Sequence, residues 1–418
     1  MFEKNCQSFI FNDKKFVMDD SGELKEILVD CSRTGRQNPH SNNKRMTNYL
    51  SSVYRYIVRE HENLSFAVSP QNRYKFNKRS QKLGYCSNYL EFGHTEDTKR
   101  LTYIESCHSS LCPSCNFFRA RLNLSSFVSI LSEFFNSEYR SLPFLFLTLT
   151  VPSCSGVELP KVLDKLSSSW EKLTKSKEFS RAFVATSRSL EITVNRDKDS
   201  KNYMMFHPHY HIILVARRDY FDKKSDLYLD NLHFLYLWQR AYGNHKFRRF
   251  SKWLPWYKSF FDDFGTSLAR LRPGAPPDLI TQVDVRRILI NVDPEKAIRS
   301  VMSALNEGLK YPFKPDELLT GDIEEDSEVV FYMDQAMNHR RRWSLTGIFK
   351  EIASRLRLPD EDPEELIQVS GDLEFDYFSS WWFSGKFGEY LRGKKKTTEE
   401  KNAARRFLGL PLIGGDSE

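Results

Sequence analysis

His207-Pro208-His209-Tyr210-His211-Ile212-Ile213-Leu214-Val215 is the stretch whose reading decides the fold of this chain. Its apolar second half predicts a buried strand over 206–216. The alternation of a strand sends His209 and His211 out of the same face. Two neutral imidazoles held side by side in this way chelate a divalent ion. His207 leaves that face one step further along, as a contact to the ligands or to a phosphate. The preceding run Ser189-Leu-Glu-Ile-Thr-Val194 predicts a second strand over 188–195, and a charged turn over 196–201 joins the two. The result is an antiparallel hairpin with a long polar loop. In it Glu191 can lie beside the imidazole pair and complete a three-ligand face that keeps positions open for phosphate and water.

The same patterning continues on both sides of the hairpin. Leu122, Phe127, Ile130, Leu131 and Phe134 recur at helical intervals and predict a helix over 120–135. Phe144-Leu-Phe-Leu-Thr-Leu-Thr-Val151 reads as a buried strand closed by Pro152. Helices are expected over 159–174, 227–241 and 294–311, and a further strand over 279–290. Hairpin-spaced strands among helices favour an α+β fold with an antiparallel sheet over a doubly wound parallel one. Residues 1–75 read as polar and irregular, and the tail from 394 to 418 as frayed. Gly388-Glu-Tyr-Leu-Arg-Gly-Lys394 has the spacing of a phosphate loop by count. Lys395 stands where Ser or Thr is needed, and no clean strand precedes it, so that function is excluded.

A chain of 418 residues has room for two or three domains, and a hydrophobic fraction of 40% lets most of it fold. The net charge of +7 favours a polyanionic partner. Aromatic residues make up 14% of the chain, which suits stacking on single-stranded bases and equally suits a core. The basic aromatic stretch Phe247-Arg-Arg-Phe-Ser-Lys-Trp-Leu-Pro-Trp-Tyr-Lys258 admits both readings. It is either a DNA contact through Arg248, Arg249 and Lys252 or a surface loop with buried rings. The N-terminus lacks a targeting pattern, and the longest apolar run, 142–151, is too short to cross a bilayer, so a cytoplasmic protein is expected.

Seven cysteines, an odd number in a long chain, do not suggest a disulfide scaffold. Cys112-Pro-Ser-Cys115 is a tight turn that can aim two thiolates at one ion. With Cys86 and Cys107 it offers four ligands for tetrahedral zinc, within a cysteine-rich module over 76–120. Reduced, unliganded thiols are the alternative, and His94 or His108 could each replace a cysteine. Cys6, Cys31 and Cys154 are expected to be free.

A second word lies about a hundred residues after the first, Glu307-Gly-Leu-Lys-Tyr311. On a helix its carboxylate and its phenol are neighbours one turn apart. A phenol with a pKa of about 10 is a poor nucleophile at neutral pH and needs a metal that polarises the phosphate it attacks.

Four words occur in a fixed order: Phe146-Leu-Thr-Leu-Thr150, His207-Pro-His-Tyr-His-Ile-Ile-Leu214, Glu307-Gly-Leu-Lys-Tyr-Pro-Phe-Lys314 and, more loosely, His339-Arg-Arg-Arg-Trp-Ser-Leu-Thr-Gly-Ile-Phe-Lys350. In that order they resemble the motifs of the rolling-circle plasmid replication initiators (Rep proteins) of the HUH endonuclease superfamily, over roughly residues 85 to 350. The resemblance implies an HUH-endonuclease-like antiparallel sheet flanked by helices, preceded by a small zinc-finger-like module. It implies that His209 and His211, with Glu191 from the superfamily's fold, hold Mn2+ or Mg2+. Tyr311 would be the nucleophile and Glu307 the activator of water in the terminating step. The activity implied is a nick in one strand of origin DNA, with a 5'-phosphotyrosyl intermediate and a free 3'-OH primer, ended by strand transfer or hydrolysis.

The implied partners are double-stranded and exposed single-stranded origin DNA, touched by Lys310 and Lys314 among others, with a host helicase and DNA polymerase. No membrane is implied. The expected organisation is a variable polar region over 1–75, the zinc module over 76–120, the nickase domain over 121–320 and an accessory region over 321–418. Two competing readings are an HUH transposase or mobilisation relaxase, which shares the chemistry, and a zinc-dependent DNA-binding regulator without catalysis. The Glu307-to-Tyr311 word favours an initiator over the first, and the imidazole pair argues against the second.

Overall fold

The computed structural model describes residues 8–11, 14–19, 22–30, 39–243, 249–258, 279–305, 315–358 and 374–413. The fold is α+β, with antiparallel sheets in two compact units. One unit comprises Met1–Leu122, Leu319–Val330 and Pro363–Glu418, and the other Asn123–Leu318 and Phe331–Asp362.

The second unit is built on a five-stranded sheet in the order Trp343–Gly347, Phe183–Val194, Phe206–Ala216, Phe144–Thr150, Val283–Ile288, antiparallel throughout. Phe206–Ala216 is its middle strand and is buried at every position except His207. A central strand covered on both faces must be apolar on both, which is why this one reads as a continuous run. On one face, Tyr210 meets Trp170 of the helix Leu159–Thr174, and Trp238 of the helix Asn231–Tyr242 donates to the carbonyl of Thr150. On the other face Phe144, Phe146, Ala185, Ile213 and Val215 form one core with Phe127 to Phe135 of the helix Pro113–Phe135. Ala297 and Val301 of the helix Pro294–Leu305 and Phe349 of the helix Ile348–Arg355 complete that core.

The first unit holds a four-stranded sheet in the order Glu389–Gly393, Tyr377–Ser384, Tyr89–His94, Lys99–Ile104. Its strands come from both ends of the chain. Lys401 of the helix Thr398–Leu408 pairs with the buried Glu91 at 3.1 Å, and Lys396 pairs with the buried Glu105. Among the described residues, no helix is long and apolar enough to cross a membrane.

Several local expectations give way. Residues 1–75 are not irregular, because they contain the helix His40–Arg59 and the start of Pro70–Tyr85. Leu50, Val53, Tyr54, Ile57, Phe76 and Leu83 are buried there together with polar residues such as Lys44, Thr47 and Ser51. The tail is ordered to 413. A capping box of Thr397 with Glu400 starts its helix, and Gly409 in the left-handed region ends it. The helix expected from 227 begins at Asn231, because Asp230 caps it by accepting from the His233 amide at 2.8 Å. Leu227 and Leu229 are buried without being helical. The strand expected over 279–290 is shorter, Val283–Ile288, and Leu289 beyond it is 77% exposed. The phosphate-loop spacing at 388–395 falls on the strand Glu389–Gly393, in keeping with its exclusion.

Gly347 joins the edge strand Trp343–Gly347 to the helix that follows, with φ of +58°. A Cβ there would stand 1.9 Å from the carbonyl oxygen of Val184. Both the backbone conformation and the space demand glycine. Gly347→Ala should therefore destabilise this unit by at least about 2 kcal/mol, the scale of a strained residue, lowering its thermal unfolding midpoint by several degrees. An unchanged midpoint in differential scanning calorimetry would refute this account of the junction.

Candidate functional site

The register of three strands assembles the first cluster. Glu191 lies opposite His209, Ser189 opposite His211, and Thr148 opposite His211 on the other side. Residues directly opposite share a face, so Glu191, His209 and His211 converge on one side of the middle strand. Nε2 of His209 is 3.0 Å and Nε2 of His211 2.8 Å from the same oxygen, Oε2 of Glu191. All three residues are buried, with 5 to 8% of their surface exposed. Burial alone would push the Glu191 carboxyl up. The hydrogen bonds from the two imidazoles outweigh it and hold the group at about 2.

This donor set fits a hard or borderline divalent cation. Ligand atoms about 2.1 Å from an ion stand about 3.0 Å apart at adjacent corners of an octahedron. The 2.8 and 3.0 Å separations match that edge. The outer nitrogens are also provided for. Nδ1 of His209 is 3.1 Å from the carbonyl of His207, and Nδ1 of His211 is 3.3 Å from Oγ1 of Thr148. If an ion replaced the Nε2 contacts to Glu191, a proton on Nδ1 facing these acceptors would leave the Nε2 lone pair of each ring for the ion. His207 stands outside the ligand set, its ring 5.6 Å from that of His209 and its Nδ1 3.4 Å from Oγ of Ser153. Tyr210 points to the opposite face, 4% exposed beneath Arg188, and burial pushes its phenol up.

Cys86, Cys107, Cys112 and Cys115 form the second cluster, buried in the first unit. The Sγ separations are 3.6 Å for Cys86 and Cys112, 3.5 Å for Cys86 and Cys115, and 3.7 Å for Cys107 and Cys115. Four sulfurs about 2.3 Å from a tetrahedral zinc stand about 3.8 Å apart, so the thiols are arranged to take one. Burial pushes the thiols of Cys86 and Cys107 up. It acts the same way on Cys112, where hydrogen bonds from Cys107, Cys115 and Cys86 outweigh it and hold the thiol down. The histidines offered as substitutes are engaged elsewhere. His94 stacks on Tyr377 and bonds Ser379, and His108 bonds Ser106. Cys154 is a free, buried thiol, pushed up to about 12 by burial.

Of the basic aromatic stretch, Phe250–Lys258 is a helix that buries Trp253 and Tyr257 and exposes Arg249 and Lys252. The rings serve the interior, and the cations face solvent. Glu307, Lys310, Tyr311, Lys314 and Arg248, together with Cys6 and Cys31, lie outside the described residues. Reading the sequence missed Thr148 and the buried Lys44, whose Nζ donates to the carbonyls of Gly84 at 3.0 Å and Cys86 at 2.6 Å. The Phe146-to-Thr150 word contained Thr148, but only the strand register gives it a partner.

A family model described as a replication protein matches residues 98–245, a stretch that contains Cys107, Cys112, Cys115, Glu191, His209 and His211. Among curated relatives, a protein rep from Bacillus amyloliquefaciens is 26% identical over 355 residues, covering 82% of this chain and 89% of the relative. One from Lentilactobacillus hilgardii is 28% identical over 349 residues, 83% of this chain and 91% of the relative. A replication protein from Staphylococcus aureus is 24% identical over 234 residues, 56% of this chain and 81% of the relative. No solved structure matches the chain. These likenesses, with the two clusters, define a plasmid replication protein. Similarity to these replication proteins supports a rolling-circle plasmid replication initiator, and origin DNA is the partner such a protein implies.

Two outcomes test the clusters directly. Protein purified without chelator should carry about one zinc per chain by elemental analysis, the content of a single four-thiolate site. Cys112→Ser with Cys115→Ser should lose it and lower the stability of the first unit. A metal-free protein of equal stability would leave the thiols as plain core residues. At the other cluster, Mn2+ affinity should fall on acidification, because protons compete with the ion for both Nε2 atoms. His209→Ala or His211→Ala should reduce that affinity at least tenfold in a titration followed by electron paramagnetic resonance.

Proposed function

We propose that this initiator is a nickase with an HUH-type catalytic unit, which cuts one strand of origin DNA and stays joined to its 5' end through Tyr311. One observation carries the reading: Glu191, His209 and His211 converge on the sheet face that also packs the helix Pro294–Leu305. That helix leads along the chain into Glu307 and Tyr311. The first word and the helix that precedes the second along the chain are thus neighbours on one side of the sheet.

Glu191, His209 and His211 would hold Mn2+ or Mg2+, with Mn2+ the better match to a site containing two imidazoles. When bound, the ion supplies Lewis-acid stabilisation of charge on the non-bridging oxygens of the scissile phosphate. Thr148 and the His207 carbonyl fix the tautomer of the two ligating rings. Tyr311 attacks phosphorus through its phenolic oxygen and releases a 3'-OH that can prime a host polymerase behind a host helicase. The phosphotyrosyl bond preserves the energy of the phosphodiester, so strand transfer at the end of a round needs no nucleotide. Glu307 activates water for the hydrolytic ending. The four-cysteine cluster would hold structural zinc, and the exposed Arg249 and Lys252 would meet the DNA backbone.

Tyr311→Phe should abolish the covalent protein–DNA adduct on supercoiled plasmid carrying the origin, while origin binding stays within about twofold, since only the attacking oxygen is lost. Wild-type adduct levels in this variant would move the nucleophile elsewhere. Glu307→Gln should still form the adduct but accumulate single strands longer than one plasmid unit. Failure at the first nick with normal termination on pre-nicked substrate would make the carboxylate the base of the tyrosine instead.

A further inference from the structure

The face that carries the metal ligands extends sideways to the edge strand Val283–Ile288. Thr148 lies opposite both His211 and Asp284, and Phe146 opposite both Ile213 and Arg286. Asp284 and Arg286 therefore stand on the same face as Glu191, His209 and His211. At about 4.8 Å per strand, their row begins about 10 Å from the His211 strand, within reach of an arginine side chain. Arg287 leaves the opposite face and lies over Phe221.

Two contacts fix the Arg286 guanidinium without burying it. It sits over the ring of Phe146 at 5.4 Å, and that ring is stacked on His211 at 5.5 Å and 20°. Its Nε forms an ion pair with Oδ2 of Asp284 at 2.8 Å, and the side chain remains 61% exposed. Among the described residues, neither terminal nitrogen of Arg286 has a hydrogen-bond or ion-pair partner. The fork thus points outward, held by its root and its flat face. An exposed ion pair of this kind contributes only about 0–1 kcal/mol to stability, so stability does not account for the arrangement. A charge that blocks edge-to-edge pairing of sheets is the structural alternative, and it would be served equally by Arg287.

We propose that Arg286 binds a backbone phosphate of the single-stranded DNA that crosses this face, next to the phosphate held at Glu191, His209 and His211. The proposal rests on the nicking function argued above. A planar fork takes a phosphate through two parallel N–H···O bonds, and Asp284 sets the angle of that fork. Phe146 ties its position to the ring of His211, so the strand is registered against the metal ligands.

The test uses the full chain with Mn2+ and a fluorescein-labelled single-stranded oligonucleotide of mixed sequence, read by anisotropy across a range of salt concentrations. Arg286→Ala should lower affinity five- to tenfold and reduce the slope of log affinity against log salt by about 0.7, one phosphate contact on a single strand. Arg286→Lys should keep the slope and recover only part of the affinity, because the charge remains and the fork does not. Mn2+ binding by electron paramagnetic resonance should be unchanged in both. Wild-type affinity and slope in Arg286→Ala would overturn the proposal, and so would an equal loss in Arg287→Ala, which would mark general surface charge. A wild-type protein that binds Mn2+ and the strand but never forms the tyrosyl adduct would instead sink the nicking reading, while the Arg286 result would stand on the binding data.

Discussion

The second unit depends on the register of three adjacent strands, Phe183–Val194, Phe206–Ala216 and Phe144–Thr150. A slip of one residue between the first two would turn Glu191 to the far face and leave His209 and His211 buried without their acceptor. The register is held by burial on both sides. Tyr210 packs under Trp170 on one face, and Ile213 and Val215 enter the Phe127-to-Phe135 core on the other. The polar cluster thus sits at the end of an apolar stripe that cannot slide without exposing itself. A carboxylate this deeply buried is sustained only because two imidazoles bond its oxygen.

The same rule, that buried charge needs a partner in place, organises the first unit. Glu91 and Glu105 are buried acids from the N-terminal part of the chain, and their partners Lys401 and Lys396 come from the C-terminal part. The strand Tyr377–Ser384 pairs directly with Tyr89–His94. The C-terminal segment is therefore a structural part of the unit that holds the four cysteines. Burial pushes the Glu105 carboxyl up, and Lys396 acts against that burial. The basic run Lys394-Lys-Lys396, which by composition suits a solvated tail, is partly consumed in this way.

How much could be read from sequence alone follows from the range of the forces involved. The strand 206–216 and the helix Leu159–Thr174 were legible because local alternation and helical periodicity specify them. Glu191 beside His209 was legible because the two strands of a hairpin follow one another in the chain and pair antiparallel. Thr148, Asp284 and Arg286 were not, since their positions depend on pairings between strands far apart in the chain, and no local pattern encodes those. The helices within 1–75 were hidden for another reason. His40–Arg59 has a low mean hydropathy and becomes stable only by packing Leu50, Tyr54 and Ile57 against partners elsewhere. Lys44 reads as a surface residue until the carbonyls of Gly84 and Cys86 surround it.

The two clusters differ in a way that matches two kinds of work. Four thiols arranged as a tetrahedron leave an ion no open position, so such a site can stabilise a fold but cannot bring a substrate to the metal. Two imidazoles and a carboxylate would supply only three ligands to an ion and would leave it able to take oxygens from a substrate. Strand geometry enforces that openness. Ligands drawn from adjacent positions of one face approach the ion from one hemisphere, because the backbone behind them is the sheet itself. Under the nicking reading proposed above, the open side of that site is where a DNA phosphate would enter, and Arg286 stands on the same face.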